Sequence, residues 1–199
     1  MDPSGIAAAA FLLSLERVCY VWAWHHTESF REFCGLRWVA RLGEPVDVLQ
    51  SLFYAFKVIQ AGVFLVWCLE YGDGVLWAAS RNSMAATLLG AGLVAVGQCL
   101  NGAVFVRLRR AGVFYGDRFG YQLPRYEGFP FSVCKHPQYF GAALTVWGFF
   151  LITRFPAPDW VVLPLIQTLY YALGARLESG GAGSSDTTRS TRTSSVEQR

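Results

Sequence analysis

Residues 84 to 106 form a long, mostly apolar stretch that contains no charged side chain. The hydrocarbon core of a bilayer is about 30 Å thick and takes about 20 helical residues to cross. Within that core, the backbone N–H and C=O groups of a single segment are satisfied only by an α-helix. This stretch therefore predicts a protein that crosses a membrane as helices.

Composition supports the same class. Apolar residues make up 53% of the 199 residues and charged residues only 16%, whereas a soluble domain carries about 25% charged residues. Seven Trp and nine Tyr residues suit the aromatic belts that form where helices leave a bilayer. The composition excludes an ordinary soluble domain and predicts an all-α, polytopic transmembrane bundle.

Three further segments are apolar enough to enter the membrane. The first, 48 to 69, is interrupted near its middle by Lys57 and Gln60, and two shorter ones, 140 to 153 and 160 to 174, follow later in the chain. The sequence RFPAPD separates the two shorter segments, and its prolines cannot lie inside a regular helix. These two segments form either one kinked span or a helical hairpin.

The distribution of positive charge favours the hairpin. Lys and Arg accumulate on the cytoplasmic side of membrane proteins. Basic clusters precede the first span, fill the 107 to 139 connection and recur after residue 174, whereas the 70 to 83 connection has only Arg81. A hairpin places every basic cluster on one side. Arg107, Arg109 and Arg110 are interpreted as such anchors, with contacts to lipid phosphates as the alternative.

The first 25 residues are apolar but carry Glu16 and Arg17 in the middle of the stretch. Charged residues inside a membrane are costly, so this segment is predicted to be a re-entrant or interfacial helix. Asp2 stands where a cleavable signal would have a basic residue, so a signal peptide is not expected.

The last 21 residues, 179 to 199, are mostly Ser, Thr, Gly and Arg and are predicted to be a disordered tail, because they cannot bury enough apolar surface to offset the entropy of ordering. The five cysteines are widely spaced. They predict free thiols rather than disulfides or a metal site.

The connection from 107 to 139 carries the densest set of polar residues and glycines. A connection of more than about 15 residues without regular structure usually forms a lid or a binding loop. It ends in SVCKHPQYFG, which places His136 at the entrance of an apolar segment. Pro137 suits the first turn of a helix, and Gly141 allows a ligand or a neighbouring helix to approach closely.

The sequences GVFYGDRFG, FPF and HPQYFG resemble the phosphatidylethanolamine N-methyltransferase (phospholipid methyltransferase) family, within a superfamily that includes isoprenylcysteine carboxyl methyltransferases. The resemblance implies that residues 1 to 178 are a membrane methyltransferase domain. It implies S-adenosylmethionine as the methyl donor and stepwise methylation of phosphatidylethanolamine toward phosphatidylcholine. It also implies a multi-pass protein of the endoplasmic reticulum, or also of a mitochondrial membrane, with no nucleic-acid partner.

The family resemblance also suggests a donor site. A Gly-x-Gly element in the third span matches Gly90-Ala91-Gly92, although small residues in a membrane helix also serve close helix packing. A pair of glutamates follows the last span in the family. Here Glu178 occupies the first position and Ser179 the second, so the second carboxylate is replaced.

Three residues are predicted to act in methyl transfer. In a hairpin, Glu178 returns close to His136, and either side chain could accept the proton that the ethanolamine ammonium must lose. Tyr139 could stabilise the growing ammonium through cation–π contacts. No metal is expected. Two alternatives stay open, which are a methyltransferase for another membrane substrate, such as a prenylated cysteine, and a non-catalytic relative that has lost the second acid.

The charge asymmetry makes a direct prediction about topology. A glycosylation acceptor inserted near Asp73 should be modified in microsomes, because residues 70 to 83 are expected to face the lumen. An acceptor inserted in the tail should stay unmodified, and the measurement is the mobility shift of each variant before and after deglycosylation. Glycosylation of the tail acceptor would contradict the hairpin.

Overall fold

The computed structural model describes residues 2–71, 82–124 and 126–181. These residues form six α-helices and two short 3-10 helices, at Ala40–Leu42 and Gly116–Phe119. The α-helices are α1 (Pro3–His25), α2 (Thr27–Cys34), α3 (Pro45–Glu70), α4 (Met84–Val113), α5 (Pro137–Thr153) and α6 (Val162–Gly181). The predicted all-α class is confirmed.

Local sequence signals explain where the helices begin. The Asp2 side chain accepts a hydrogen bond from the Ser4 N–H at the start of α1, and the Ser83 hydroxyl accepts one from the Ala86 N–H at the start of α4. Both side chains satisfy an amide that has no partner within the helix. Pro137 lies in the first turn of α5, where its missing N–H is harmless.

Among the described residues, three helices are long and apolar enough, by length and composition, to cross a membrane. They are α1, α3, and α4 together with the 3-10 helix that follows it. The prediction of a polytopic membrane protein is therefore confirmed. Helix α5, with 17 residues, extends about 26 Å at 1.5 Å per residue. That length is slightly less than the bilayer core of about 30 Å.

Helix α1 differs from the expected re-entrant or interfacial element. It is one continuous helix of 23 residues with the length and hydropathy of a span. Glu16 does not interrupt it, because Arg17 Nη2 lies 2.6 Å and Lys57 Nζ 3.0 Å from the Glu16 carboxylate. Ion pairing within the bundle removes the penalty on which the sequence-based prediction rested.

Helices α5 and α6 form the predicted hairpin. Trp147 Nε1 in α5 donates a 2.9 Å hydrogen bond to Thr168 Oγ1 in α6. At the turn, the buried Arg154 and Asp159 side chains form an ion pair, and Asp159 also accepts a 2.9 Å hydrogen bond from Trp67 Nε1 in α3. The turn that contains the prolines is therefore fixed to the neighbouring helix.

Two pairs of glycines bring α4 and α5 into close contact. A Cβ placed on Gly97 would lie 2.5 Å from the Gly141 carbonyl oxygen, and a Cβ placed on Gly90 would lie 2.8 Å from the Gly148 carbonyl oxygen. Such small residues permit the backbones of two membrane helices to approach. The close approach predicted at Gly141 is thus made by a helix.

The predicted 107 to 139 loop is partly helical, since α4 continues to Val113 and a 3-10 helix follows. A kink at Arg109, with φ 53°, turns the last residues of α4. Phe114 is fully buried among aromatic side chains of the neighbouring helices. Arg110 pairs with Asp47 at the start of α3. The segment therefore folds as a cap over one end of the bundle.

The cysteines are free, as predicted. Cys34 at the end of α2 is buried, and burial raises the pKa of its thiol to about 11, which keeps it protonated near neutral pH. The tail was predicted to begin at residue 179, but α6 remains helical through Gly181. Residues 182 to 199 lie outside the described part of the chain, and so does most of the 70 to 83 connection.

The glycine contacts predict a difference between two sites on α4. Gly97→Leu should lower the unfolding temperature of the purified protein in detergent, because a new side chain must displace the α5 backbone, and overpacking costs about 1 to 3 kcal/mol. Gly102→Leu is the matched control, since nothing lies within 4 Å of a Cβ at that position. Equal unfolding temperatures for the two variants would contradict the packing role of Gly97.

Candidate functional site

The hairpin of α5 and α6 brings the start of α5 close to the end of α6, where the predicted site residues lie. Tyr139, in the first turn of α5, donates a hydrogen bond from its hydroxyl to Glu178 Oε1 near the end of α6, 39 positions later in the chain. His136 is the N-cap residue of α5, and its ring centroid lies 6.0 Å from that of Tyr139. The three residues predicted to act in the reaction therefore share one end of the bundle.

Tyr115 is a further member of this group. Its hydroxyl also donates to Glu178 Oε1, so two phenols hold one carboxylate oxygen. Tyr115 adopts the left-handed conformation, with φ 56° and ψ 36°, which is costly for a residue with a Cβ. Such strain persists where the surrounding structure requires it, and it often occurs at functional sites.

The guanidinium of Arg17 packs against three tyrosine rings beside this group. Its guanidinium carbon is 5.2, 5.0 and 5.1 Å from the ring centroids of Tyr20, Tyr139 and Tyr171, respectively. These distances are within the range of cation–π attraction. Tyr139 therefore contacts the guanidinium of Arg17 with its ring and the carboxylate of Glu178 with its hydroxyl.

A chain of polar side chains continues from Arg17 toward α3. Glu16 accepts from Arg17 and from Lys57, and Lys57 Nζ also donates to Gln60 Oε1 at 3.0 Å. The Gln60 amide lies 3.4 Å from the Tyr171 hydroxyl. The two polar residues that interrupt the apolar sequence of α3 thus join the two charges of α1 inside the bundle.

A small polar cavity of about 140 Å³ lies at the end of α5. Its wall includes His136, Tyr139, Glu178, Tyr115 and Lys135, with Glu16 and Arg17 on the inner side. A carboxylate and several phenol rings suit a positively charged ligand. All three residues predicted to take part in the chemistry line this cavity.

A larger cavity of about 640 Å³ extends into the bundle between α3, α4 and α5. Most of its wall is apolar and includes the side chains of Phe53, Phe64, Phe105, Phe149 and Val146. The wall also includes polar side chains, among them Glu16, Arg17, Lys57, Gln98 and Asn101. The cavity suits a ligand with a long apolar part and a polar part.

The two cavities share a wall. Both are lined by Glu16, Arg17, Gln138 and Tyr139. A ligand in the polar cavity and a ligand in the apolar cavity would therefore lie on either side of Tyr139, next to the Glu178 carboxylate. Such an arrangement can hold a water-soluble reactant and a membrane-soluble reactant next to each other.

The predicted Gly90-Ala91-Gly92 element lies elsewhere on the bundle. Gly90 is buried against Gly148 and Ile152 of α5, close to the hairpin turn rather than to His136. Gly92 is exposed, with nothing within 4 Å of a Cβ at that position. Ser179 follows Glu178 within α6. The structure unites His136, Tyr139 and Glu178 but does not bring Gly90 to them.

Sequence analysis missed Glu16, Arg17, Lys57 and Tyr115 as members of the site. The first three carried a usable signal, because an ionisable residue inside a membrane segment generally faces the bundle interior and marks a functional site. They were interpreted only as interruptions of apolar stretches. Tyr115 lies within the quoted GVFYGDRFG sequence, but no local pattern predicts that its hydroxyl reaches Glu178, because the two residues are 63 positions apart.

Comparison with known proteins places this geometry in context. A family model described as phospholipid methyltransferase matches residues 85–180. The chain is 30% identical over 129 residues to the phosphatidyl-N-methylethanolamine N-methyltransferase of Arabidopsis thaliana. The aligned region covers 64% of this chain and 67% of that protein. It is 33% identical over 93 residues to the protein of the same name from Saccharomyces cerevisiae, covering 46% and 44%. No solved structure matches the chain significantly.

The two phenols on Glu178 predict a measurable contribution to stability. Tyr139→Phe and Tyr115→Phe should each lower the free energy of unfolding by about 1.5 to 3 kcal/mol, the range for a hydrogen bond to a charged group. Tyr170→Phe is the control, because the Tyr170 hydroxyl donates a neutral 3.0 Å hydrogen bond to the Ala10 carbonyl and should contribute only about 1 kcal/mol. Denaturant titration in detergent measures all three, and equal losses would contradict a charged Glu178.

Proposed function

The chain belongs to the phospholipid methyltransferase family, and on that premise we propose that it transfers methyl groups from S-adenosylmethionine to the nitrogen of phosphatidylethanolamine and of its mono- and dimethyl derivatives. N-Methylation of a phospholipid is the reaction of the family, and the protein is a membrane protein. The observation that carries the proposal is the Glu178 carboxylate, held by two phenols where a polar and an apolar cavity meet.

The polar cavity provides groups that fit the donor. S-Adenosylmethionine supplies a methyl group on a positively charged sulfonium, together with an amino group and a carboxylate. The Glu178 carboxylate and the Tyr115 and Tyr139 rings suit a cation. The Tyr20 hydroxyl, which lines the cavity, is buried without a hydrogen-bond partner among the described residues, and it offers a polar contact to a bound molecule. Lys135 adds a positive charge on the same wall.

The acceptor nitrogen must lose a proton before it can attack. An ethanolamine headgroup is an ammonium near neutral pH, so a side chain beside it has to accept that proton. His136 is suited to this step because a neutral imidazole nitrogen can accept a proton and later release it. Glu178 is the second candidate, although a carboxylate that holds the donor's amino group would not be available as a base.

The tyrosine rings provide contacts for the methylated nitrogen of the product. The first two methylations leave an amine that can still lose a proton, whereas the third gives a quaternary ammonium that is permanently charged and has no N–H to donate. Such a group is contacted by a π-face or by an anion. Tyr139 presents such a ring at the junction of the cavities, and ring faces attract this type of cation. Holding donor and acceptor in contact there supplies much of the rate, because proximity converts a bimolecular step into an effectively unimolecular one.

Other parts of the assignment follow from the family. We propose that residues 1 to 178 form the methyltransferase domain. We also propose the endoplasmic reticulum membrane, or also a mitochondrial membrane, as the location, because the family resemblance implies it. The name of the two relatives suggests phosphatidyl-N-methylethanolamine as the first acceptor to assay.

The missing second acid leads to the first test. Ser179→Glu should tighten binding of S-adenosylhomocysteine about ten- to a hundredfold, because a charge-assisted contact contributes about 1.5 to 3 kcal/mol. Glu178→Ala should weaken it at least as much. Isothermal titration of the purified protein measures both affinities. Unchanged affinity in both variants would remove the carboxylate from the donor site.

His136→Ala tests the proton transfer. Turnover of phosphatidyl-N-methylethanolamine should fall about a hundredfold or more, the typical contribution of a general base, and should recover partly as the pH is raised, since more of the amine is then deprotonated in solution. Radiolabelled methyl transfer to lipid, followed between pH 6 and 9, is the measurement. A loss that does not vary with pH would indicate that His136 only shapes the cavity.

The predicted Gly-x-Gly donor element has a clean test at Gly92. Since a Cβ there meets nothing within 4 Å, Gly92→Leu should leave the unfolding temperature unchanged. If the element contacts the donor, the same change should abolish binding of S-adenosylhomocysteine. Gly90→Leu is less informative, because it should destabilise the packing against Gly148. Normal donor affinity in Gly92→Leu would contradict a donor contact there and would leave helix packing at Gly90 as the role of this element.

A further inference from the structure

The cations of the larger cavity have no part in the chemistry described above. Arg17 and Lys57 both line that cavity and both contact one carboxylate, that of Glu16. The Arg17 and Glu16 side chains are only 12% and 6% exposed. Ionisable groups in this position are costly, and in membrane proteins they generally serve a ligand or an ion.

The charges in this group do not balance. Two cations face one anion, which leaves a net charge of about +1 on the wall of a largely apolar cavity. A buried group of charges is stable only when it is paired and hydrogen-bonded. Arg17 Nη1 is buried and has no hydrogen-bond partner among the described residues. The cavity wall therefore carries an unbalanced positive charge, and the Arg17 guanidinium keeps one donor that no described residue satisfies.

The position of Arg17 suits a multidentate oxyanion. The three tyrosine rings hold the guanidinium in one place, and its planar set of N–H groups matches the oxygen geometry of a phosphate. Lys57 extends toward the same wall from α3, with its side chain 31% exposed. Glu16 occupies the space between the two cations, so a tetrahedral anion on the cavity side of this group, in reach of both, would complete the charge balance.

We propose that Arg17 and Lys57 bind the phosphodiester of the phospholipid acceptor, whose apolar part occupies the larger cavity. The inference rests on the proposed function and adds the group that positions the substrate. The Phe53, Phe64, Phe105 and Phe149 side chains provide the apolar surface for the lipid chains. A free phosphate would leave this surface uncovered, which is why a phospholipid is the better occupant.

The proposed site lies within reach of the reacting group. Arg17 packs on the ring of Tyr139, and the hydroxyl of Tyr139 contacts Glu178. Only two carbon atoms separate the phosphate from the nitrogen in an ethanolamine headgroup. A phosphate at Arg17 therefore directs the nitrogen along the Tyr139 side chain to the junction of the two cavities. Arg17 and Lys57 are positioning residues in this scheme.

The same guanidinium could instead bind the carboxylate of the methyl donor, since Arg17 also lines the polar cavity. Lys57 separates the two sources, because it lines the larger cavity and is absent from the residues that line the polar cavity in the described part of the chain. Lipid recognition requires both cations, whereas donor recognition requires Arg17 alone.

The test uses the purified full-length protein in detergent. Lys57→Gln and Arg17→Lys should each weaken binding of dihexanoyl phosphatidyl-N-methylethanolamine about tenfold or more, as expected for loss of a charge-assisted contact. Binding is followed by the ligand-dependent rise in unfolding temperature. Neither variant should change the affinity for S-adenosylhomocysteine or for an O-acyl-N-methylethanolamine, which lacks the phosphate.

Two control variants distinguish the loss of a cation in the cavity from the loss of a cation elsewhere and from unfolding of the protein. Arg41→Gln removes a cation from an exposed residue that lines neither cavity and should leave lipid binding unchanged. If Arg17→Lys unfolds the protein, the double variant Glu16→Gln/Arg17→Gln removes both members of the buried pair and should show the same selective loss.

Three outcomes would overturn the proposal. Unchanged lipid binding in Lys57→Gln and in the Arg17 variant would make the cations structural, and an equal loss for the phosphate-free lipid would indicate a general packing defect. A selective loss of S-adenosylhomocysteine affinity would assign Arg17 to the donor. Failure of the proposed function gives a different result, because the wild-type protein would then bind the phospholipid but transfer no methyl group to it.

Discussion

The ion pairs that hold the Glu16 carboxylate allow the rest of the structure to form. Paired with Arg17 and Lys57, Glu16 no longer prevents α1 from lying within the bundle as a continuous helix. The same contacts join α1 to α3 and place Arg17 among the tyrosine rings of α1, α5 and α6. Unpaired charges at these positions would each carry a large desolvation penalty. The pairing therefore stabilises the bundle and also forms the wall between the two cavities.

The hairpin of α5 and α6 provides the second constraint. Its turn is fixed by the buried Arg154–Asp159 pair, and glycines hold α5 against α4. Because both helices are fixed at the turn, their other ends are held at a defined separation. Glu178 thereby returns to Tyr139, and the strained Tyr115 approaches the same carboxylate from the segment after α4. Rigid helices position this site more accurately than a loop would.

The two cavities explain how this arrangement suits a phospholipid methyltransferase. A water-soluble donor and a lipid acceptor cannot share one type of environment, so the enzyme must present a polar and an apolar surface to one point. Gln138 and Tyr139 stand on both surfaces. Their position at the start of α5 explains why the HPQYFG sequence lies where a polar connection meets an apolar helix.

The sequence by itself determined the class, the helices and the hairpin. Long apolar segments, prolines and charge asymmetry act locally, and a bilayer permits few conformations for such segments. It also indicated His136, Tyr139 and Glu178, through resemblance to a family. It did not determine that α1 is a continuous helix of spanning length or that Tyr115 reaches Glu178, because both depend on partners far away in the chain. Whether a charge in an apolar segment is a penalty or a site depends on what faces it, and only the tertiary structure decided that.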